Sequence, residues 1–386
     1  MKSLGINALY LGPVFDSGCH GYDTHDFTRI DPRLGTNENF KTFCNALKAA
    51  DIHLILDGVF NHVGRGFFAV EDIKKNREAS PYCDWISGLR FDRDNKYGDG
   101  FSYDNWGGHD LLPKLNLKNP KVREYLLDAV DMWIDEFGIS GLRLDAADCI
   151  DHDFFRELRR RTTQKRADFW LMGEITDADD YSVWINDNML HSVTNYQCYR
   201  WLFNSLNHKN MHEFADGVEK QFGKDGLYKD ICLYNFTDNH DVNRIASVLR
   251  TKRSLKNIYT MLYTMPGVPS VYYCSEWGAK GRKLPKNDFP LRPEVDVDNP
   301  DITNPELFEH LKKLAITRLG SKALMHGDYS TVHCTNDRLI FARCFEDETS
   351  LVFINATANS TEMTATYKGR QVTATVPAFD STIIIY

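Results

Sequence analysis

Short apolar runs alternate with longer amphipathic stretches along most of the chain. Ile6-Asn7-Ala8-Leu9-Tyr10-Leu11 stops at Gly12-Pro13, a buried strand followed by a loop. Ile52 to Phe60 is the next such run and closes on Asn61-His62. Runs at Ile139–Leu144, Phe169–Met172, Ser192–Thr194, Asp230–Phe236 and Gly267–Tyr273 complete a set of seven strands. Helical spacing fills the intervals. Thr36 can cap a helix carrying Phe40, Phe43, Cys44 and Leu47. Asn119-Pro120 opens a second helix, striped by Val122, Tyr125, Leu126, Ala129, Met132 and Trp133. Phe155 and Leu158 mark a third, and a longer helical region reaches about Phe222. Ser254 heads a helix with Leu255, Ile258, Tyr259 and Leu262, and Asn304-Pro305 opens another after a further loop. Strands that alternate with helices in this way predict a parallel sheet.

Two stretches break the alternation. Val63 to about Asn116 is irregular and rich in Gly, Asp and aromatics, and a loop of that length is usually functional or a small subdomain. From about Ser321 the runs shorten and alternate, as in Leu339-Ile340-Phe341-Ala342-Arg343 and Ser350-Leu351-Val352-Phe353-Ile354. That pattern predicts a small antiparallel β domain. The expected organisation is a strand-and-helix region over 1–320, with an inserted subdomain at about 63–117, and a C-terminal β domain over 321–386.

Composition narrows the class. The 386 residues are 42% hydrophobic and 26% charged, ordinary for a soluble globular protein. A net charge of −8 argues against a nucleic-acid surface, and no apolar run is long enough to span a membrane. The nine cysteines show no CxxC or framework spacing, and no signal peptide precedes the first strand. Both features predict a reduced, cytoplasmic protein. The many Tyr, Phe and Trp residues serve packing first, but sugar-binding clefts also use exposed aromatic faces.

The chemistry-bearing residues gather where strands hand over to loops. Arg143 and Asp145 are two apart at the end of Gly141-Leu142-Arg143-Leu144-Asp145, so on a strand they share a face and can pair. An ionised, oriented carboxylate at a strand end suits a nucleophile, and the same pair would also serve as a structural ion pair. His62, Asp145, Glu174 and Asp241 each sit at such a handover. The C-terminal ends of parallel barrel strands share one face. Three carboxylates, His62, His240 and Arg143 would then converge. One carboxyl must hold a proton there, an arrangement for acid-assisted displacement at an acetal carbon.

Asp57-Gly58-Val59-Phe60-Asn61-His62, Gly141-Leu142-Arg143-Leu144-Asp145, Gly173-Glu174-Ile175 and Phe236-Thr237-Asp238-Asn239-His240-Asp241 resemble the ordered motifs of the α-amylase family of glycoside hydrolases. Leu112-Pro113-Lys114-Leu115-Asn116 resembles the extra motif of its cyclomaltodextrinase, neopullulanase and maltogenic amylase branch. The resemblance implies a (β/α)8-type TIM barrel with an inserted subdomain and a C-terminal β-sandwich. It also implies that the first barrel strand and helix are missing ahead of Met1. It assigns Asp145 as nucleophile, Glu174 as acid and base, and Asp241 as stabiliser of the oxocarbenium-like transition state. Arg143 would orient Asp145, and His62 and His240 would bond hydroxyls of the cleaved glucosyl unit. Tyr22 would stack on that unit, and Asp23 with Arg292 would hold the non-reducing-end glucose. The implied activity is retaining cleavage of α-1,4 bonds in maltooligosaccharides and cyclodextrins, with no cofactor required. α-1,6-Glucosidase, glucanosyltransferase and non-catalytic carbohydrate-binding readings share these motifs. A homodimer is a further expectation.

Several positions stay open. Asp57 reads as a buttress of the strand end. Asn61 would ligate Ca2+ in many relatives, and Asp92, Asp94, Asn95 and Asp99 could join it or form a solvated turn. Trp85, Tyr103 and Trp106 would either line a cleft or pack the insertion. Asp148-Cys149 and Cys274-Ser275 depart from the family pattern, the first on the side of the leaving group.

Overall fold

The computed structural model describes residues 1–285, 287–296 and 304–386. The loop expected ahead of Asn304 lies partly outside these residues. The chain divides into two compact units, one over Ile6–Val193 with Lys2, the other over Thr194–Tyr386 with Met1 and Ser3–Gly5.

The first unit is built on a five-stranded sheet. Its strands are Ala8–Leu11, His53–Gly58, Gly141–Leu144, Trp170–Gly173 and Ser192–Val193, all parallel and in chain order. The inner strands are buried along almost their whole length, whereas Ala8–Leu11 at the sheet edge is partly exposed. Helix Asn37–Ala49 starts at Thr36, whose hydroxyl and the Asn39 side chain close a capping box. Helix Pro120–Phe137 starts at Asn119, which accepts from Lys121 N–H, and stops at Gly138 in the left-handed region. Helix His152–Lys165 is capped by Asp151.

Trp133 ties these layers together. Its ring is fully buried and stacks on Phe15 at 4.2 Å and Phe60 at 5.9 Å. Its indole N–H donates to Phe27 O at 2.7 Å, so the one polar atom is satisfied. The stretch after His62 is not wholly irregular. It contains helix Phe68–Asn76, whose buried face is Ala69, Val70 and Ile73. Trp85 and Tyr103 are buried there, and Trp85 sits among Phe67, Phe68, Tyr82 and Tyr125.

The second unit holds a parallel pair, Tyr234–Phe236 with Val268–Ser270, and Thr194 bridges in parallel to Tyr234. The helical region before it is two helices, Tyr196–Asn207 and Met211–Phe222. Helix Leu255–Thr264 follows a 3₁₀ turn, and Ser254 makes no side-chain cap bond. Its C-terminal carbonyls are met by two buried arginines. Arg318 donates to Tyr263 O and Gly267 O, and Arg343 donates to Thr264 O and Gly327 O. A cation is favourable at that end of a helix. The final segment forms a four-stranded antiparallel sheet, Asp328–Cys334, Arg338–Phe345, Glu348–Asn355 and Asp380–Ile385, and a hairpin, Thr361–Tyr367 with Arg370–Val376. Ile340, Ala342, Leu351 and Phe353 of the sheet pack on Met363, Ala365, Ala374 and Val376 of the hairpin.

Trp133→Ala removes a fully buried aromatic and its hydrogen bond. Urea denaturation should show a loss of about 3–5 kcal/mol, and a loss well under 1 kcal/mol would show that the helix layer is held by something else.

Candidate active site

Strand register builds the cluster in the first unit. Asp57 and Arg143 are direct partners across adjacent strands, and Leu144 is in register with Gly173. Asp145 and Glu174, one residue past each of those ends, therefore leave the sheet at one level. The ladder continues through them, with Asp145 N–H donating to Gly58 O and Glu174 N–H to Leu144 O. A Cβ on Gly173 would lie 2.6 Å from Leu190 Cδ1 and 2.9 Å from Ala147 Cβ, so glycine suits this packing.

Arg143 is the hub. Its Nη1 donates to Asp57 Oδ1 at 2.9 Å and to Asp145 Oδ1 at 2.9 Å, and its Nη2 lies 2.7 Å from Glu174 Oε2. Tyr10 and Tyr22 both donate from their hydroxyls to Asp57 Oδ2, at 2.7 and 3.2 Å. Arg143 is 3% exposed, so one buried cation faces three carboxylates. Burial pushes the Asp145 carboxyl up to about 8; Arg143 opposes the shift, and Asp57 and Glu174 reinforce it. Burial thus favours the protonated form of Asp145 in the ligand-free cluster.

Other expected residues surround this hub. His62 is buried, its Nε2 lies 3.8 Å from Asp145 Oδ2, and that nitrogen has no hydrogen-bond partner among the described residues. Burial lowers its pKa to about 4, so the ring is neutral. Asp23 is buried in its own loop, where its Oδ1 accepts from the Cys19 and His20 amides. Trp106 differs from Trp85 and Tyr103: it is 39% exposed, with its ring 5.5 Å from that of His62.

The second unit holds the remaining candidates. Asn239 Oδ1 accepts from the Asp241 and Val242 amides and so shapes the turn. His240 Nε2 lies 3.0 Å from Asp241 Oδ2. Arg292 Nη2 is 4.0 Å from Asp241 Oδ1, and its Nε is 3.1 Å from Asp288 Oδ2.

Three supporting residues carried little sequence signal. Tyr10 reads only as a strand residue. Ala146 has φ 44°, and this left-handed turn directs its N–H to Glu174 Oε2 at 3.3 Å. Asp238 is fully buried and accepts from Ile245 N–H and Ser275 Oγ, both at 2.8 Å.

The acidic stretch of the insertion is committed elsewhere. Arg65 takes the Asp99 carboxylate with both Nη atoms, and Asp94 Oδ1 accepts from the Asn95 and Gly100 amides. Among the described residues no group of three or more His, Cys, Asp and Glu could hold a metal ion. No step below uses calcium.

A parallel β/α protein with carboxylates at its strand ends is the class these features define. Residues 1–306 match the Alpha-amylase family, described as alpha amylase, catalytic domain. The chain belongs to the alpha-amylase family. It is 32% identical to a cyclomaltodextrinase of Geobacillus thermopakistaniensis over 94% of this chain and 61% of that protein. It is 29% identical to the intracellular maltogenic amylase of Bacillus subtilis, over 92% of this chain and 60% of the relative. The chain therefore spans about three fifths of the length of these curated relatives. The solved cyclic alpha-maltosyl-(1→6)-maltose hydrolase of Arthrobacter globiformis superposes with a TM-score of 0.87 at 27% identity, over 100% of this chain and 86% of that one. Family and structural likeness assign the chain to the TIM-barrel class with a C-terminal β domain.

The raised Asp145 pKa has a sign. The folded state keeps a proton that the unfolded chain releases near pH 4. The associated stability is complete below that pH and is lost as pH rises through about 8. Measured by denaturation between pH 5 and 8, the stability of the unaltered chain relative to Asp145→Asn should fall by on the order of 1 kcal/mol per unit, the lowered His62 pKa acting alike in both. An identical slope in the variant would place the bound proton elsewhere.

Proposed function

We propose that this protein is a retaining glycoside hydrolase that cleaves α-1,4-glucosidic bonds in short α-glucans. The observation that carries this reading is Arg143 holding Asp145 and Glu174 on one guanidinium. Two carboxyls bridged in this way lie close together, which suits displacement through a covalent intermediate, where about 5–5.5 Å separates them. In the first step an Asp145 oxygen forms a bond to the anomeric carbon as the glycosidic bond breaks, and Glu174 gives its proton to the leaving oxygen. In the second, water attacks that carbon, Glu174 takes the proton back and Asp145 leaves.

Burial favours the protonated form of Asp145 in the ligand-free cluster, while the reaction needs Asp145 as the ionised nucleophile. Arg143 contacts Asp145 through Nη1, and a tighter contact there on substrate binding favours the ionised form of Asp145. His62, neutral and with an unpartnered buried Nε2, suits a sugar hydroxyl. Asp241, His240 and Arg292 enter through the motifs they belong to. In this reading Asp241 stabilises the transition state, His240 bonds a hydroxyl, and Arg292 with Asp23 holds the end glucose. Tyr22 stacks on the cleaved unit.

The relatives called cyclomaltodextrinase and maltogenic amylase support short oligosaccharides as substrates. The Arthrobacter structure, a hydrolase of a ring containing α-1,6 links, supports a second reading with α-1,6 cleavage on the same carboxylates. The word intracellular in the Bacillus subtilis name supports a cytoplasmic location. Among the described residues no helix is long and apolar enough to cross a membrane.

Turnover of maltotriose, β-cyclodextrin and an α-1,6-linked trisaccharide tests the proposal. The first two should be hydrolysed, with the α-anomer as the initial product. Asp145→Asn and Glu174→Gln should each lose at least about a thousandfold in kcat. Glycan binding without turnover by the unaltered chain would point to a non-catalytic relative, and turnover of the α-1,6 substrate alone would favour the second reading.

A further inference from the structure

Arg292 approaches Asp241 at 4.0 Å, and its backbone is held on both sides. Leu291 O accepts from Arg244 Nη2 at 2.7 Å, and Pro293 O accepts from the Tyr273 hydroxyl at 2.9 Å. Between these two carbonyls Arg292 N–H donates to Phe289 O at 3.0 Å, and Leu291 N–H donates to Asp288 O at 2.8 Å. Pro290 and Pro293 each fix a φ angle around the arginine. A surface loop ordinarily turns its carbonyls to water. Here both carbonyls that flank one cation are taken by side chains from other segments.

The two holding residues are coupled to each other and to the Asp241 turn. The Arg244 guanidinium lies 4.0 Å from the centre of the Tyr272 ring and 4.8 Å from that of Tyr273. Its Nη1 donates to Tyr273 O, and to Ser275 Oγ at 3.2 Å. Arg244 is fully buried and lies three residues after Asp241, so the group that grips the Arg292 turn is rooted beside the carboxylate that Arg292 faces. The same stretch holds the rest of the loop. Arg244 N–H donates to Gly281 O at 3.0 Å, Asn243 Oδ1 accepts from Lys283 N–H at 2.7 Å, and Ser247 Oγ accepts from Gly281 N–H at 2.9 Å. A Cβ on Gly281 would lie 2.1 Å from Pro290 O, so these two backbones press directly on each other. From this frame Arg292 reaches two acids. Its Nε is 3.1 Å from Asp288 Oδ2 in its own turn, closer than its approach to Asp241. Partly exposed ion pairs are weak, so attraction alone does little to fix the guanidinium, and its direction is set by the backbone that carries it.

We propose that Tyr273 and Arg244 are positioning residues, which clamp the carbonyls on either side of Arg292 and so hold its guanidinium toward Asp241. The inference rests on the glycosidase reading, in which Arg292 helps to hold the end glucose, and deepens it by naming what sets that residue in place. Neither Tyr273 nor Arg244 is assigned a contact with sugar. Arg292 binds, and the clamp removes in advance the freedom that its turn would otherwise lose on binding.

Tyr273 is 41% exposed, so Tyr273→Phe removes one hydroxyl without opening the core. In the full chain, with maltotriose as substrate, this variant should raise KM about fivefold, the range of one lost hydrogen bond, with kcat within about twofold of the unaltered protein. Arg292→Ala should raise KM further, and adding Tyr273→Phe to it should change KM no more. An effect of Tyr273→Phe that persists undiminished beside Arg292→Ala would overturn the proposal, because the hydroxyl would then act on sugar or on the fold without Arg292. An unchanged KM in Tyr273→Phe would overturn it as well. Amide hydrogen exchange over residues 288–293 reads the clamp with no substrate present. Exchange there should be about tenfold faster in Tyr273→Phe, and exchange equal to that of the unaltered chain would overturn the clamp. Faster exchange in a chain that turns over no glucan would leave the clamp standing and count against the glycosidase reading alone.

Discussion

One buried guanidinium decides what the strand ends can hold. Three carboxylates within reach of each other in a low-dielectric site repel strongly and are costly to desolvate. Arg143 offsets that cost by meeting Asp57, Asp145 and Glu174 with two nitrogens. Lysine could not replace it, because a point charge lacks the planar fork that reaches partners on separate strands. The requirement passes outward. Arg143 must be in register with Asp57, Asp57 must be held by Tyr10 and Tyr22, and Glu174 must emerge level with Asp145. Each is a statement about parallel strands, and the five-stranded sheet meets them together.

The site is also held by backbone that costs stability. Ala146 adopts the left-handed region directly after Asp145, and a non-glycine residue there costs about 1–2 kcal/mol. Its return is an N–H aimed at Glu174. Cys274 is left-handed too, at φ 67°. The neighbouring Ser275 has a clear task, donating to the buried Asp238. The strands and the buried Trp133 supply the rigidity against which such strain is maintained.

Much of this was legible in the order of residues. All seven apolar runs contain parallel strands, and the inner ones, buried on both faces, show no polar alternation. Asn119-Pro120 and Thr36 mark helix starts through hydrogen bonds that are local in sequence and therefore readable. Helix Phe68–Asn76 was hidden because its buried face is only Ala69, Val70 and Ile73 amid charged neighbours. Ser254 reads as a cap, yet a 3₁₀ turn precedes its helix and its hydroxyl makes no cap bond. Within the site, the Arg143–Asp145 pairing followed from their spacing of two. The contacts of Arg143 with Glu174 and of Tyr10 with Asp57 did not, because they depend on register between strands far apart in sequence. Exposure separated Trp106 from Trp85 and Tyr103, and no periodicity reports exposure within an irregular stretch.

The central claim is that Asp145, oriented by Arg143, is the group that becomes bonded to sugar. Its most direct test is to trap that bond. A fluorinated α-glucosyl fluoride, whose glycosyl-enzyme breaks down slowly, would be incubated with the full chain, and the digested protein examined by mass spectrometry. The account predicts one added fluoroglucosyl group, carried on Asp145, with labelling abolished in Asp145→Asn. A label on Glu174 or Asp57, or β-configured product with no covalent adduct at all, would contradict it.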